Sequence, residues 1–593
     1  MSDFGHGAVG TREQAFTTLL PLRAAGYPPH LLTDLAASMA ADVDEVKDGA
    51  DAEENLWVPA GYTYLGQFID HDLTFDNTSS LNPADASDAD RVPTNLRTPR
   101  FDLDSLYGDG PDAQPFMYGD DGASLLFKDS YTNQSQTSFD QAKQDLLRSP
   151  NGRAIIGDKR NDENSLVSQI QLSFIKFHNA VVAKLIARDP HLKGTNLFNK
   201  ARNEVRWAYQ KLVIEDFLPR IVKAEVLADL QKAKTPRERQ SCYALYTEDK
   251  RINLPREFVV AAYRFGHSGV RFGYRLNAEP DNRFSIFAPS NKPDDDRNLL
   301  GFDPLPKSQE IDDWGRFFPS TEPTDLPDCL GEPLDAKVKD PTVRLQFAYK
   351  IDTTLVDPLT VLPPSVLPTS PNPGGALQEV QKAIGSDPLV KPLPHPDRPS
   401  LALLNLLRGN VYKVQSGQAI ARILKEKGFR EGKEKNFAPI EPLDPKYLVT
   451  RQSIKDEQGK PNGNSKFVDI DSELKTDTPL WFYVLAEAQA SVVKELCVST
   501  GQEFEDERLL EPKVAQTQLG WVGGRIVAEV FYGLMDSDKD SYFNKLAPNG
   551  KDFQPIWAHE PSACSKVIFA NLLKFAGQHI TPTPTPKKYH DNV

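Results

Sequence analysis

Apolar residues recur at three- and four-residue spacing over long stretches of this 593-residue chain, and that period limits the fold more than any other feature. Between 165 and 187 the stripe is Leu166, Ile170, Phe174, Phe177, Val181 and Leu185. Between 62 and 73 it is Tyr62, Leu65, Phe68, Ile69 and Leu73. Val205, Ala208, Leu212, Phe217 and Ile221 mark a third over 199–230, and 256–268, 479–498 and 521–535 follow the same rule. Such spacing gathers side chains on one side of a helix. Two-residue alternation, the mark of a half-buried strand, is scarce. The expected fold is mostly α: a single large helical domain with long irregular loops and little β.

The main domain is placed at 51–578, after an extension (1–50) that packs on the core and before an extended tail (579–593) containing Thr581-Pro-Thr-Pro-Thr-Pro-Lys587. Residues 76–100 are rich in Asn, Asp, Ser and Pro. Residues 279–400 are crowded with Pro and Asp, with breakers at Pro363-Pro364 and Ser370-Pro-Asn-Pro-Gly374. Both are read as surface excursions wrapping a helical core.

A net charge of −14 with no long basic stripe argues against a nucleic-acid partner. Cys242, Cys329, Cys497 and Cys564 form no close pair, which suits a reducing compartment better than a disulfide scaffold. The start, Met1-Ser-Asp-Phe-Gly-His6, lacks a basic segment followed by an apolar run, and no membrane span of roughly 20 apolar residues is evident. The expectation is a soluble protein, cytoplasmic or exported without a recognisable signal peptide.

Two histidines carry the chemistry. His71 lies in Tyr64-Leu-Gly-Gln-Phe-Ile-Asp-His-Asp-Leu-Thr74. Helical spacing puts Tyr64, Gln67 and His71 on one face, with Asp70 at its edge and Asp72 about 100° further round. A general base needs an imidazole with one free nitrogen and a neighbour that fixes it, a part Gln67 can fill. Taken singly, His71 also fits a satisfied core histidine. Arg160 and Glu163, in Gly157-Asp-Lys-Arg-Asn-Asp-Glu-Asn-Ser-Leu166, share a side at i, i+3. An arginine there can stabilise charge on a departing peroxide oxygen. A solvated helix start explains the same residues.

His267 ends Glu257-Phe-Val-Val-Ala-Ala-Tyr-Arg-Phe-Gly-His267, with Arg264 three residues before it. Gly266 clears space beside the imidazole for a flat cofactor. An axial histidine plus an arginine for a haem propionate is a sensible pairing, and a packed helix with a chance histidine accounts for it equally. Asn405, in Leu403-Leu-Asn-Leu-Leu-Arg408, is a candidate to hold the second nitrogen of His267.

In Thr98-Pro-Arg-Phe-Asp-Leu-Asp-Ser-Leu-Tyr-Gly108, Thr98, Asp102 and Asp104 are two or four apart and would point the same way in an extended loop. With the Arg100 carbonyl, and Asp72 from behind, they make an oxygen-only set suited to Ca²⁺. A solvated Asp-rich turn is the alternative. Asp536-Ser-Asp-Lys-Asp540 opens like a calcium loop, but Ser541 and Ala547 stand where Gly and Glu are needed, so it is rejected.

In order along the chain, Gly66-Gln-Phe-Ile-Asp-His-Asp72, Thr98–Gly108, Gly157-Asp-Lys-Arg160 with Glu163, Phe177-His-Asn179, Tyr263-Arg-Phe-Gly-His267, Leu404-Asn-Leu-Leu-Arg408 and Gly524-Arg-Ile-Val-Ala528 resemble the animal-type haem peroxidases of the peroxidase–cyclooxygenase superfamily, and a bacterial member more than a mammalian one. The resemblance implies a mostly helical domain around one haem b. It makes His71 the distal acid–base residue with Arg160 and Gln67 as partners, and His267 the iron ligand. Asn405 would hold His267 and Arg264 would meet a propionate. Asp72, Thr98, Arg100 (through its carbonyl), Asp102 and Asp104 would bind Ca²⁺. Asp70 and Glu163 match the carboxylates that form ester bonds to haem in mammalian members. Asn164 stands where myeloperoxidase has a methionine, which argues against a sulfonium link, and Asp104 replaces a common hydroxyl, which should make the ion site more acidic.

The implied activity is reduction of hydrogen peroxide, with a halide, thiocyanate or small organic molecule oxidised through a ferryl intermediate. A fatty-acid dioxygenase of the same superfamily is the alternative enzyme, but it would need a tyrosine where Arg264 stands. A haem-free adhesion or scaffold protein is the alternative from another class.

Overall fold

The computed structural model describes residues 14–44, 53–75, 94–129, 141–246, 253–279, 282–320, 344–366, 380–431 (apart from 382, 386, 394, 396 and 397), 438–455, 461–500, 517–545, 554–556 and 568–581. Helices dominate: α1 (Pro29–Ser38), α2 (Gly61–Leu73), α3 (Ser165–Arg188), α4 (Gly194–Leu212), α5 (Ala224–Lys232), α6 (Leu401–Val411), α7 (Gly417–Glu426), α8 (Leu480–Thr500) and α9 (Trp521–Ser537) are the main ones. Among the described residues, strands occur only as six two-stranded sheets. The longest is a hairpin of β3 (Val449–Lys455) and β4 (Pro461–Asp469), numbered after β1 (Glu54–Pro59) and its partner β2 (Phe347–Tyr349). The sequence period did not announce that hairpin.

The apolar stripes do the packing. Phe68 of α2 stacks on Phe174 of α3 with centroids 4.6 Å apart, and Tyr209 of α4 meets both rings edge-on at 6.2 and 5.8 Å. Such contacts are worth about 0.5–1.5 kcal/mol each beyond the area they bury. Asn164 caps α3, its Oδ1 accepting from the backbone N–H groups of Leu166 and Val167 at 3.2 and 2.9 Å. Among the described residues α3 alone is long and apolar enough to cross a membrane, and 56% of that window is buried inside the fold.

Three expectations change. The segment read as one helix over 199–230 begins at Gly194, passes through a π turn at Val213–Phe217, ends at Ile221 and restarts as α5. The segment 256–268 is a short α-helix, Arg256–Val260, then a 3₁₀ helix, Ala262–His267, with the break at Ala261. Residues 279–400 do not merely wrap the surface: Phe284, Phe287, Leu299, Trp314, Phe317, Phe318, Phe347 and Leu355 are all buried. Isolated aromatics among prolines fill gaps without any period, so the pattern hides them. The breaker Ser370–Gly374, most of 76–100 and the tail beyond Thr581 lie outside the described residues, as do Cys329, Cys564 and the side chain of Cys497.

The extension packs inward over its described part. The backbone N–H groups of Leu19 and Leu20 donate to the Glu257 carboxylate at 3.0 and 3.1 Å. Tyr27 exchanges backbone bonds with the Asn410 side chain at 2.7 and 3.1 Å. These bonds tether the segment leading to His267 and the end of α6.

Candidate active site

His71 is 5% exposed on the last turn of α2. Its Nδ1 lies 2.7 Å from Asn161 Oδ1, and Asn161 Nδ2 donates to Gln171 Oε1 at 2.9 Å. With the amide oxygen turned to the ring, the proton sits on Nδ1 and Nε2 keeps its lone pair. Burial, then the nearby Arg160 charge, lowers the His71 pKa to about 3. The residue that fixes the imidazole is therefore Asn161 and not Gln67. Gln67 Nε2 donates to Glu163 Oε1, and its Oε1 accepts from Asn164 Nδ2 at 3.2 Å. Helical spacing put Gln67 on the right face, but the chain at 163–164 supplies it with partners that no helical period displays.

Arg160 lies within a 3₁₀ turn, Lys159–Asp162, that Glu163 ends and that leads into α3. The guanidinium of Arg160 donates to the carbonyls of His71, at 3.1 Å, and Thr74, and to both oxygens of Asp158 at 3.1 and 2.8 Å. It thus closes the end of α2 while its charge stands beside His71. Burial raises the pKa of Glu163 to about 7 against the pull of Arg160, and burial likewise raises Asp70 against Arg160 and Arg264.

Asn405 on α6 lies against His267, its Nδ2 being 2.9 Å from the ring Nδ1, and its Oδ1 accepts from Arg264 Nη1 at 3.1 Å. Arg264 also donates from Nε to the Val259 carbonyl at 3.0 Å. In a 3₁₀ helix residues three apart eclipse, so Arg264 lies directly in line with His267 and Tyr263 does not. The Tyr263 hydroxyl donates to the Gly66 carbonyl of α2 at 3.3 Å, which joins the two histidine-bearing segments. Burial, then the charges of Arg264 and Arg408, lowers His267 to about 3. Among the described residues the Arg408 guanidinium makes no hydrogen bond or ion pair, and its Nε is buried without a partner. Arg408 sits three residues after Asn405, a spacing that would have placed it on the same face.

The two segments pack against each other. Gly66, Gln67, Asp70, Arg160, Glu163, Arg264, Gly266, His267 and Arg408 each keep partial exposure while their neighbours in sequence are mostly buried. Asp70 of α2 feels both Arg160 and Arg264 electrostatically, so both charges stand near it. A Cβ built on Gly266 meets no atom within 4 Å. Open space beside a neutral imidazole, with a partnerless guanidinium buried at its Nε nearby, fits a flat iron cofactor that carries a carboxylate.

The acidic loop is bent rather than extended. Leu103 takes the left-handed conformation (φ 60°) ahead of a short helix, Asp104–Tyr107. That bend, not strand alternation, gathers Asp102 and Asp104 with Asp72, each offering an oxygen within 4.8 Å of the others. Thr98 Oγ1 donates to Asp102 Oδ2 at 2.7 Å, and Ser105 Oγ to Asp72 Oδ1 at 3.3 Å. Asp72 Oδ2 is buried and has no partner. Burial, with Asp102 and Asp104 alongside, pushes the Asp72 pKa well above the usual carboxylate range. Three crowded carboxylates with a spare buried oxygen suit a hard cation. Asp104 does not simply add charge, because Arg97 Nη1 donates to its Oδ1 at 3.2 Å. Arg97 and Asn161 were not picked out from the sequence, since their partners lie in separate segments. Gly157 allows the Arg160 segment to lie against this loop: a Cβ there would stand 2.5 Å from the Ser105 carbonyl.

The chain is similar to several known proteins. Peroxidase mlt-7 of Caenorhabditis elegans is 25% identical over 186 residues, 31% of this chain and 24% of that protein. Eosinophil peroxidase of Mus musculus is 28% identical over 138 residues, 23% of this chain and 17% of that protein. The alignments thus span a quarter or less of these relatives. Among solved structures, peroxidase A of Dictyostelium discoideum aligns over 96% of this chain and 95% of its own, with 13% identity and a TM-score of 0.47. A fatty acid alpha-dioxygenase of Oryza sativa aligns over 95% and 79%, with 13% identity and a TM-score of 0.48. The family model for animal haem peroxidase matches residues 77–293, which hold the acidic loop, Arg160, Glu163 and His267. Over residues 77–293 the chain is thus similar to the animal haem peroxidases.

Proposed function

We propose that this protein is a haem-dependent peroxidase that reduces hydrogen peroxide and oxidises a small anionic or organic donor, such as a halide or thiocyanate. The observation that carries the reading is the pair of neutral histidines on segments packed against each other, one tied through Nδ1 to Asn161 and the other set against Asn405. His267 would hold the iron through Nε2. That role puts the ring proton on Nδ1, so Asn405 must present its oxygen to the ring and release Arg264. Arg264 and Arg408 would then face the haem propionates.

Haem, when bound, supplies an iron that accepts peroxide and conveys its oxidising power to the donor. His71 Nε2 takes a proton from hydrogen peroxide and returns it to the departing oxygen, which leaves as water. The positive charge of Arg160 stabilises that oxygen as it leaves. Gln67 orders the Glu163 carboxyl beside this space. Asp70 and Glu163 would form the ester attachments, and Asp72, Asp102 and Asp104, with Thr98 and the Arg100 carbonyl, would bind Ca²⁺.

The test is an absorption spectrum of the purified protein during peroxide titration. His71→Ala should keep the haem spectrum and lose about 10²–10⁴-fold in the rate of reaction with peroxide. His267→Ala should lose or alter the spectrum itself. Haem retention with an undiminished rate in His71→Ala would overturn the assignment. Extraction into acidified solvent tests the ester links, because attached haem stays with the protein.

A further inference from the structure

Arg97 bridges the acidic cluster and the distal arginine. Its Nη1 donates to Asp104 Oδ1 at 3.2 Å, and its Nε and Nη2 donate to Asp158 Oδ2 at 3.2 and 2.7 Å. Asp158 also accepts from Arg160: Oδ1 from Nε at 3.1 Å and Oδ2 from Nη2 at 2.8 Å. Asp158 Oδ2 is thus shared by two guanidinium groups. Both of those groups also lie over the Phe75 ring, at 5.7 and 4.7 Å from its centroid. Asp104, Arg97 and Asp158 are 8%, 9% and 2% exposed, so solvent and salt screen these charges little. The row of alternating charges runs without a gap from the acidic cluster to the Nη2 that also donates to the His71 carbonyl at 3.1 Å. At its other end stands Asp72 Oδ2, buried and unpartnered, which marks the cluster as a place for a ligand.

We propose that this row of ion pairs couples cation binding in the acidic cluster to the setting of Arg160, with Arg97 and Asp158 as positioning residues. A divalent cation competes with Arg97 for Asp104. Arg97 then draws harder on Asp158, and Asp158 loosens its hold on Arg160. The coupling is reciprocal, so a change at Arg160 alters cation affinity by the same factor. The inference rests on the cation reading of the cluster and is independent of haem chemistry.

The experiment is calorimetric titration of calcium chloride into the 593-residue chain as wild type, Arg97→Met, Arg160→Met and the double variant. Arg97→Met should bind calcium about tenfold more tightly, since a rival positive charge leaves Asp104. Arg160→Met should also tighten binding, because Asp158 is then free to satisfy Arg97 alone. That second effect should shrink at least about fivefold in the Arg97→Met background. A purely structural role for Arg97 would not make calcium affinity sense Arg160. Arg97→Lys keeps the charge without the fork, so it should lose the coupling too, and it replaces Arg97→Met in the cycle if that variant fails to fold. Calcium binding with additive effects overturns the coupling and leaves the cation site standing. A wild-type chain that takes up no calcium overturns both.

Discussion

Asn161 decides which nitrogen of His71 is the base. Gln171 holds the Asn161 amide from one side, so its oxygen faces the imidazole and the lone pair is left on Nε2. Burial and then Arg160 keep that imidazole neutral down to about pH 3. A base works in its proton-free form, so the peroxide reaction should hold its rate from neutrality downward and fall only as the pH nears 3. Arg160→Met removes the larger of the two charges that lower it, so the acid limb should move upward in stopped-flow rates measured against pH. An unmoved limb would mean that Arg160 does not act on His71. Glu163 gives the opposite sign. Its pKa rises from 4.5 to about 7 on folding of the haem-free chain, chiefly through burial. The fold therefore favours the protonated carboxyl. This contribution is complete below pH 4.5 and is lost as the pH climbs through 7. Glu163→Gln should gain on the wild type over that window, by at most about 3 kcal/mol in denaturant unfolding. A difference that stays constant with pH would show Glu163 to titrate normally.

The element that governs the proximal side is the 3₁₀ segment Ala262–His267. Trp481 of α8 donates from Nε1 to the Arg264 carbonyl at 3.1 Å, and Glu257 is bonded by the extension. The segment is fixed from two directions while its Gly266 faces open space. Gly266→Leu should therefore fold in the haem-free state with an unfolding midpoint close to wild type, yet take up markedly less haem by Soret absorbance. Full uptake would mean that the cofactor does not approach this face. A 3.0-residue turn and a 3.6-residue turn cannot be told apart over two turns of sequence, so 256–268 read as one helix. By contrast α2 and α3 were legible nearly to the residue, because their stripes persist for three turns or more. The hairpin of β3 and β4 escaped because Thr450, Arg451, Gln452, Ser453 and Lys455 offer polar groups to both faces. His71, Arg160, His267 and Asn405 were legible as candidates from local context. Asn161 and Arg97 were not, since each acquires its role from partners in separate segments.

At the scale of the molecule, buried carboxylates join distant stretches of chain. Asp216 accepts from Tyr62 Oη at 2.7 Å and from the Phe569 backbone at 3.0 Å. Glu529 of α9 accepts the backbone N–H groups of Ala244, Leu245 and Tyr246 at 2.7–2.9 Å. Glu54, wholly buried in β1, accepts from Arg271 Nη1 at 2.7 Å and from Arg344 Nη1 and Nη2 at 2.8 and 2.5 Å. The Glu54 node bears most directly on function. β1 runs straight into α2 and His71, and Arg271 follows His267 by four residues, so one carboxylate ties both histidine-bearing segments to β2 through Arg344. Glu54→Ala would bury two guanidinium groups without that carboxylate, at a cost of about 3–5 kcal/mol. Global unfolding should occur at lower denaturant concentration by a matching amount. If the node also sets the spacing of the two segments, haem should leave this variant faster under conditions where it remains folded. Glu529→Ala is the control: it removes a comparable buried node on α9 whose carboxylate bonds Ala244, Leu245 and Tyr246 and neither histidine-bearing segment. It should lower stability similarly and leave the haem off-rate of the folded protein near wild type. Equal haem loss in the two variants at matched stability would assign Glu54 to general cohesion and remove it from the architecture of the site.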